Sequence, residues 1–263
     1  MKPHVLISIV AGLAFSSVAD LTLLDDAFDN GVLGTGGVNG GFGVVGSGTG
    51  NVTEEAGGFA QITSSSNQND VKGMLSSGTV SLSGDPGETA IKTRWVISNS
   101  DLKAKSSSLA FVWQTDSDIT ATPEIGVMLD LVNSNATLYV DNPGNVLGSI
   151  ELHPDFGGSG DAFTLTAIFY EETFEVRGSN SLRQKNADNL FLAGNWGEGP
   201  GSTRDFSTDD YHVGALVNAN GTAGIVVDAT QVTVEAIPEP AVITMIGLFG
   251  SGFLVAHRLF GIT

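Results

Sequence analysis

Cysteine is absent from all 263 residues, which excludes disulfides, thiolate nucleophiles and thiolate metal sites. Cations are scarce: 11 Lys and Arg face 29 Asp and Glu, a formal net charge of −18. Two of those cations, Lys2 and Arg258, lie in the terminal segments, so the middle of the chain is more one-sided still. Such a surface repels phosphate backbones and excludes a nucleic-acid partner, while it suits solubility and attracts divalent cations. Histidine is equally sparse. His4, His153, His212 and His257 show neither H-x-H nor i,i+4 spacing, so no histidine metal motif is written. No G-x-S-x-G nucleophile elbow occurs either. What is abundant is glycine, 35 residues with only 15% charged, a composition of many tight turns rather than long helices.

The middle of the chain alternates with period two. Ile91, Thr93, Trp95 and Ile97 share a face, as do Leu109, Phe111 and Trp113. Ile125, Val127, Leu129 and Leu131 oppose Gly126, Met128 and Asp130. Phe163, Leu165, Ala167 and Phe169 lead through a Glu171-Glu172 turn to Phe174 and Val176. Thr230, Val232, Val234 and Ala236 alternate with Gln231, Thr233 and Glu235. Roughly a dozen such strands broken by Gly, Asn, Asp and Ser predict an all-β antiparallel sandwich larger than an immunoglobulin sheet pair. The glycine-rich stretch 31–50 reads as an ordered loop or weak strand pair, 98–107 as a loop, and 182–192 as one short helix.

Both ends differ from this middle. Lys2 and His4 precede an apolar core from Val5 to Phe15 and then small residues up to Ala19, a signal peptide over 1–19 cut after Ala19. At the other end Pro238-Glu239-Pro240 bars a helix, and Ala241 to Ala256 follows without a charge. His257 and Arg258 then form a basic stop that favours a cytoplasmic C-terminus. The apolar run is short for a bilayer, and Leu259, Phe260 and Ile262 extend it past the snorkelling arginine. Proline triplet, single span and basic stop together resemble a PEP-CTERM sorting signal over residues 237–263. That resemblance implies a transmembrane helix, processing by an exosortase-type membrane enzyme, and a Gram-negative bacterium that builds an extracellular polysaccharide matrix. Residues 20–236 would then be exported, held briefly at the inner membrane, and delivered to the cell surface or matrix.

That exported domain resembles a concanavalin-A-like, laminin-G-type jelly roll. The resemblance rests on an opening strand at Asp25-Asp26-Ala27-Phe28-Asp29, a late hairpin from Phe163 to Val176, and a closing strand at Val232-Thr233-Val234-Glu235 returning beside the first. Glycoside hydrolases of this fold set two or three glutamates on alternate residues of one strand. The nearest segment here spaces Glu124 and Asp130 six apart, which is no such dyad. The expected role is therefore a non-catalytic surface or matrix protein, with a carbohydrate-binding module as first alternative and a glycoside hydrolase or lyase as second. For the lectin-like alternative the candidate site is Asn195, Trp196 and Glu198. A tryptophan between glycines can stack on a sugar ring, or pack back on the sandwich as a loop anchor. For calcium, Asp116 and Asp118 offer hard oxygen ligands in a loop, without matching the D-x-[DN]-x-[DN]-G pattern.

Overall fold

The computed structural model describes residues 21–238, apart from 39, 48–49, 56, 65–70, 82–87, 103–106, 118–123, 132–135, 143–144, 157–159, 198–208 and 219–224. The signal peptide, the cut after Ala19, and the tail from Glu239 through Pro240, His257 and Arg258 thus lie outside the described residues. So do Asp118 and Glu198. Among the described residues there is no helix, and so none long and apolar enough to cross a membrane.

The sequence folds into β1 (Leu21–Asp26), β2 (Phe42–Gly46), β3 (Asn51–Glu55), β4 (Phe59–Ser64) and β5 (Val71–Ser76). Next come β6 (Glu88–Ser100), β7 (Ser108–Gln114), β8 (Ile125–Asp130), β9 (Thr137–Asn142) and β10 (Asn145–Glu151). Last are β11 (Phe163–Tyr170), β12 (Thr173–Asn180), β13 (Leu190–Asn195), β14 (His212–Asn218) and β15 (Ile225–Pro238). One sheet runs β13-β12-β11-β6-β15-β4-β3, with β1 also on β15; the other runs β10-β9-β8-β7-β14-β5-β2. Every strand pairing is antiparallel. Period-two alternation aims one set of side chains from each sheet into a shared layer. There Trp95, Trp113, Phe111 and Phe163 are fully buried. Trp113 ties the layers together, since its Nε1 donates to Thr93 Oγ1 of the facing sheet at 3.0 Å.

The closing strand does return beside the first. Leu21 to Asp26 pairs with Ala236 to Val232, while the first half of β15 pairs β4. A register shift around Ala229 and Gln231 separates the two halves. Thr230 is the extra residue of this bulge, which is why the simple alternation expected through Thr230 breaks there. Just before the bulge Asp228 is buried between neighbours, accepting from Gln61 Nε2 at 3.0 Å and Asn99 Nδ2 at 2.8 Å. Asp228→Ala leaves both amides without an acceptor. We expect a loss of about 2 kcal/mol, read as a lower urea midpoint with unchanged slope.

Three local expectations fail for physical reasons. The opening strand ends at Asp26 rather than Asp29, because Phe28 takes a positive φ of 49° and turns the chain. Residues 98–100 extend β6 instead of looping: Ser98 and Asn99 donate to Asp228 and Ser100 to the Asp161 carbonyl. The helix over 182–192 is absent. Leu182 and Leu190 are both buried, but a turn closed by Gln184 N–H to the Asn189 carbonyl joins them, and β13 then pairs β12. The stretch from Leu182 to Leu190, folded back on itself, buries both leucines without a helical stripe. The glycine-rich stretch 31–50 holds an ordered loop and then β2, which pairs β5.

Candidate functional site

The outer face of the seven-stranded sheet divides in two. One half is apolar: Leu75, Ala110, Val112 and Leu216 pack together, with Val45, Val71 and Met128 against them. The other half, on β8, β9 and β10, is polar. Registration puts Met128 opposite Tyr139 and Tyr139 opposite Ser149 in one rung. The next rung on one side pairs Gly126 with Asp141, and on the other Asp130 with Thr137. Asp141 therefore follows Tyr139 by two on the same strand, and Asp130 is its diagonal cross-strand neighbour, both on one face.

The polarity of this group is unbalanced. Asp130 Oδ1 and Asp141 Oδ1 are both shielded from solvent and neither has a hydrogen-bond donor. Burial raises the Tyr139 hydroxyl above the usual phenol range, and the charges of Asp130 and Asp141 raise it further. A half-buried aromatic ring thus stands between two carboxylates whose shielded oxygens have no donor among the described residues. Chemically the arrangement offers an apolar ring face, with Met128 alongside, and two acceptors for a ligand rich in donors. Gly126 leaves the rung beside Asp141 open. A Cβ there would meet only Met128 at 3.6 Å, ordinary contact, so Gly126→Ala should fold normally and narrow the rung. Circular dichroism melts within about 0.5 kcal/mol of wild type would check that.

The residues expected at the site lie elsewhere. Asn195 ends edge strand β13 opposite Thr173, with an exposed side chain. Trp196 is 2% exposed, its ring centroid 5.4 Å from Phe169 and 5.1 Å from Phe174. Its Nε1 donates to the Tyr170 carbonyl at 2.8 Å and its backbone N–H to the Glu172 carbonyl. The loop-anchor alternative holds in this conformation: the ring is clasped by the hairpin of β11 and β12, and no face is open to a sugar. Asp116 is exposed and its carbonyl accepts from Gln114 Nε2. No group of three or more His, Asp or Glu that could hold a metal occurs among the described residues. Glu124 accepts from the Thr115 hydroxyl and N–H just before β8, whereas Asp130 ends that strand. Six residues of strand separate them by about 20 Å, beyond the reach of a hydrolytic pair. Pro238 closes β15 in extended conformation opposite Glu88.

Sequence reasoning passed over Tyr139 and Asp141. The signal was present in the alternation Thr137, Tyr139, Asp141 against Leu138 and Val140, which places polar groups outward. The pairing of β9 with β8, which brings Asp130 to Tyr139, was not readable from one strand alone.

No family model matches the chain, and no curated protein matches it in sequence. Solved structures do share its fold. The lectin from Bauhinia forficata in complex with GalNAc aligns with a TM-score of 0.57 at 10% identity, over 84% of this chain and 100% of that one. Lectin II from Ulex europaeus aligns at 0.56 and 12% identity, over 81% and 97%. The exoplasmic/lumenal domain of VIP36 in its Ca2+/Man3GlcNAc-bound form aligns at 0.52 and 9% identity, over 76% and 84%. The all-β antiparallel two-sheet sandwich thus resembles in fold the concanavalin-A-like jelly roll of these lectins.

Proposed function

We propose that this domain is a non-catalytic carbohydrate-binding sandwich that works outside the cell. The ligand lies on the polar half of the seven-stranded sheet, with Tyr139 as stacking ring and Asp130 and Asp141 as acceptors. One observation carries the reading: two shielded carboxylate oxygens without donors flank an aromatic ring on this face. Likeness of fold to lectins solved with GalNAc and Man3GlcNAc supports the ligand class. Hydrolase chemistry draws no support from Glu124 and Asp130, which sit at opposite ends of one strand.

The test is a glycan array probed with the full-length protein and with Tyr139→Ala. Wild type should bind a restricted set, and loss of the ring should weaken that binding about tenfold or more. Equal binding by the variant removes the site; no binding by wild type removes the function.

Export and sorting belong to the same proposal. The N-terminal segment directs export, and Pro238-Glu239-Pro240 with the apolar tail and His257-Arg258 is handled by an exosortase-type enzyme that releases the domain to surface or matrix. Replacing the triplet by alanines should leave the protein in the inner-membrane fraction. Unchanged processing and location would contradict this.

A further inference from the structure

The two outer faces of the sandwich treat their carboxylates differently. On the outer face of the eight-stranded sheet the described carboxylates of β12 and β15 have donors, while on β3 Glu54 accepts through Oε1 and its shielded Oε2 has none. Glu235 pairs with Lys92 at 2.5 Å, Glu175 with Arg177 at 2.7 Å, and Asp228 with Gln61 and Asn99. On the seven-stranded sheet the described strand residues of the outer face include no lysine or arginine. Glu151, at the edge, is matched by Lys185 at 2.7 Å. Among the described residues Asp130 Oδ1 and Asp141 Oδ1 have no donor, and the ring between them is a phenol, which brings no positive charge.

We infer that the ligand on this face carries an ammonium group, and specifically that it is an unacetylated amino-sugar polymer. This rests on the carbohydrate reading above and narrows it. Sugar hydroxyls alone would supply hydrogen bonds but leave two like charges unneutralised around one ring. An ammonium brings three donors and the missing charge together, and its bonds to carboxylates are charge-assisted. A flat aromatic face between the carboxylates adds cation–π attraction. Uronate or sulfated glycans bring charge of the wrong sign to a face where Lys185, at the edge, is already paired with Glu151, on a protein of net charge −18. The apolar half of the face, with Met128 at the boundary, takes the C–H surface of the neighbouring sugar units.

Calorimetric titration of the full-length protein with three tetramers decides the matter: β-1,4-linked glucosamine, its fully N-acetylated form, and a tetra-galacturonate. The glucosamine tetramer should bind about tenfold or more tighter than the acetylated one, the galacturonate not measurably, and the preference should shrink with salt. Asp130→Asn with Asp141→Asn should bring the two affinities to within about twofold. Glu171→Gln with Glu172→Gln changes net charge equally at the exposed turn between β11 and β12 of the other sheet and should leave the preference intact. Should the control pair abolish the preference as well, attraction is diffuse and the inference falls. It falls equally if the acetylated or acidic tetramer binds as tightly as glucosamine, although the carbohydrate reading then stands. If no array glycan and no tetramer binds, both fall.

Discussion

Trp196→Ala will lower the stability of the domain by about 3–5 kcal/mol, the usual cost of deleting a buried large aromatic. At about 2–4 °C per kcal/mol for a domain of this size, the melting temperature should drop by roughly 6–20 °C. The ring is the centre of a row: Trp113 and Phe169 lie 4.5 Å apart by centroid, Phe169 and Trp196 5.4 Å, and Trp196 and Phe174 5.1 Å. Removing it opens a cavity between β11 and β12 and leaves the Tyr170 carbonyl without its indole donor. Trp196→Phe keeps most of the packing and loses the bond, so about 1–2 kcal/mol is expected. Glycan binding at the opposite sheet should survive in whatever fraction remains folded. A Trp196→Ala protein with wild-type melting would mean that the ring is a mobile loop group, and the stacking role would reopen.

Asp26→Ala should cost about 3 kcal/mol through a different route. Asp26 is 2% exposed, and its oxygens accept the Phe28 N–H at 2.9 Å and the Gly41 N–H at 3.1 Å. One side chain thereby holds both ends of the glycine-rich loop. The Phe28 bond sustains a backbone angle that a bulky residue adopts only under constraint. Gly36 packs against the same carboxylate so closely that an added Cβ would fall 2.1 Å from Oδ2. Glu54 secures the loop from β3, accepting from Asn30 N–H and Gly31 N–H. Without Asp26 two backbone donors lose their acceptor and Phe28 relaxes. The same group carries a pH signature. Burial raises its carboxyl above 3.8, and Asp25 and Asp29 add repulsion, against the lowering by the two N–H donors. A carboxyl raised on folding binds its proton more tightly in the native state. Its stabilisation is complete below 3.8 and is lost as pH rises through the elevated native value. Wild type should therefore gain more stability than Asp26→Ala on acidification from neutrality toward pH 4. Parallel pH profiles of the two proteins would contradict the assignment.

Most of the architecture was legible because burial imposes period two wherever a strand has one dry face. Leu109, Phe111 and Trp113 announce an inner face, and all three are buried. The pairing of first and last strands followed from their order. What escaped was set by partners distant in sequence. Ser98 and Asn99 look like loop residues until Asp228, some 130 positions away, supplies their acceptor. Trp196 looks exposed among glycines until Phe169 and Phe174 close on it. The polar face escaped for the same reason: Asp130, Tyr139 and Asp141 become one group only through the β8–β9 register.

The central claim is that glycan binds on the polar half of the seven-stranded sheet. Its most direct test is chemical-shift mapping of the isotope-labelled protein titrated with the strongest glycan found on the array. The account predicts the largest shifts at Met128, Asp130, Tyr139, Asp141 and Ser149. Shifts confined to the outer face of the eight-stranded sheet, or centred on Asn195 and its neighbours, would contradict it.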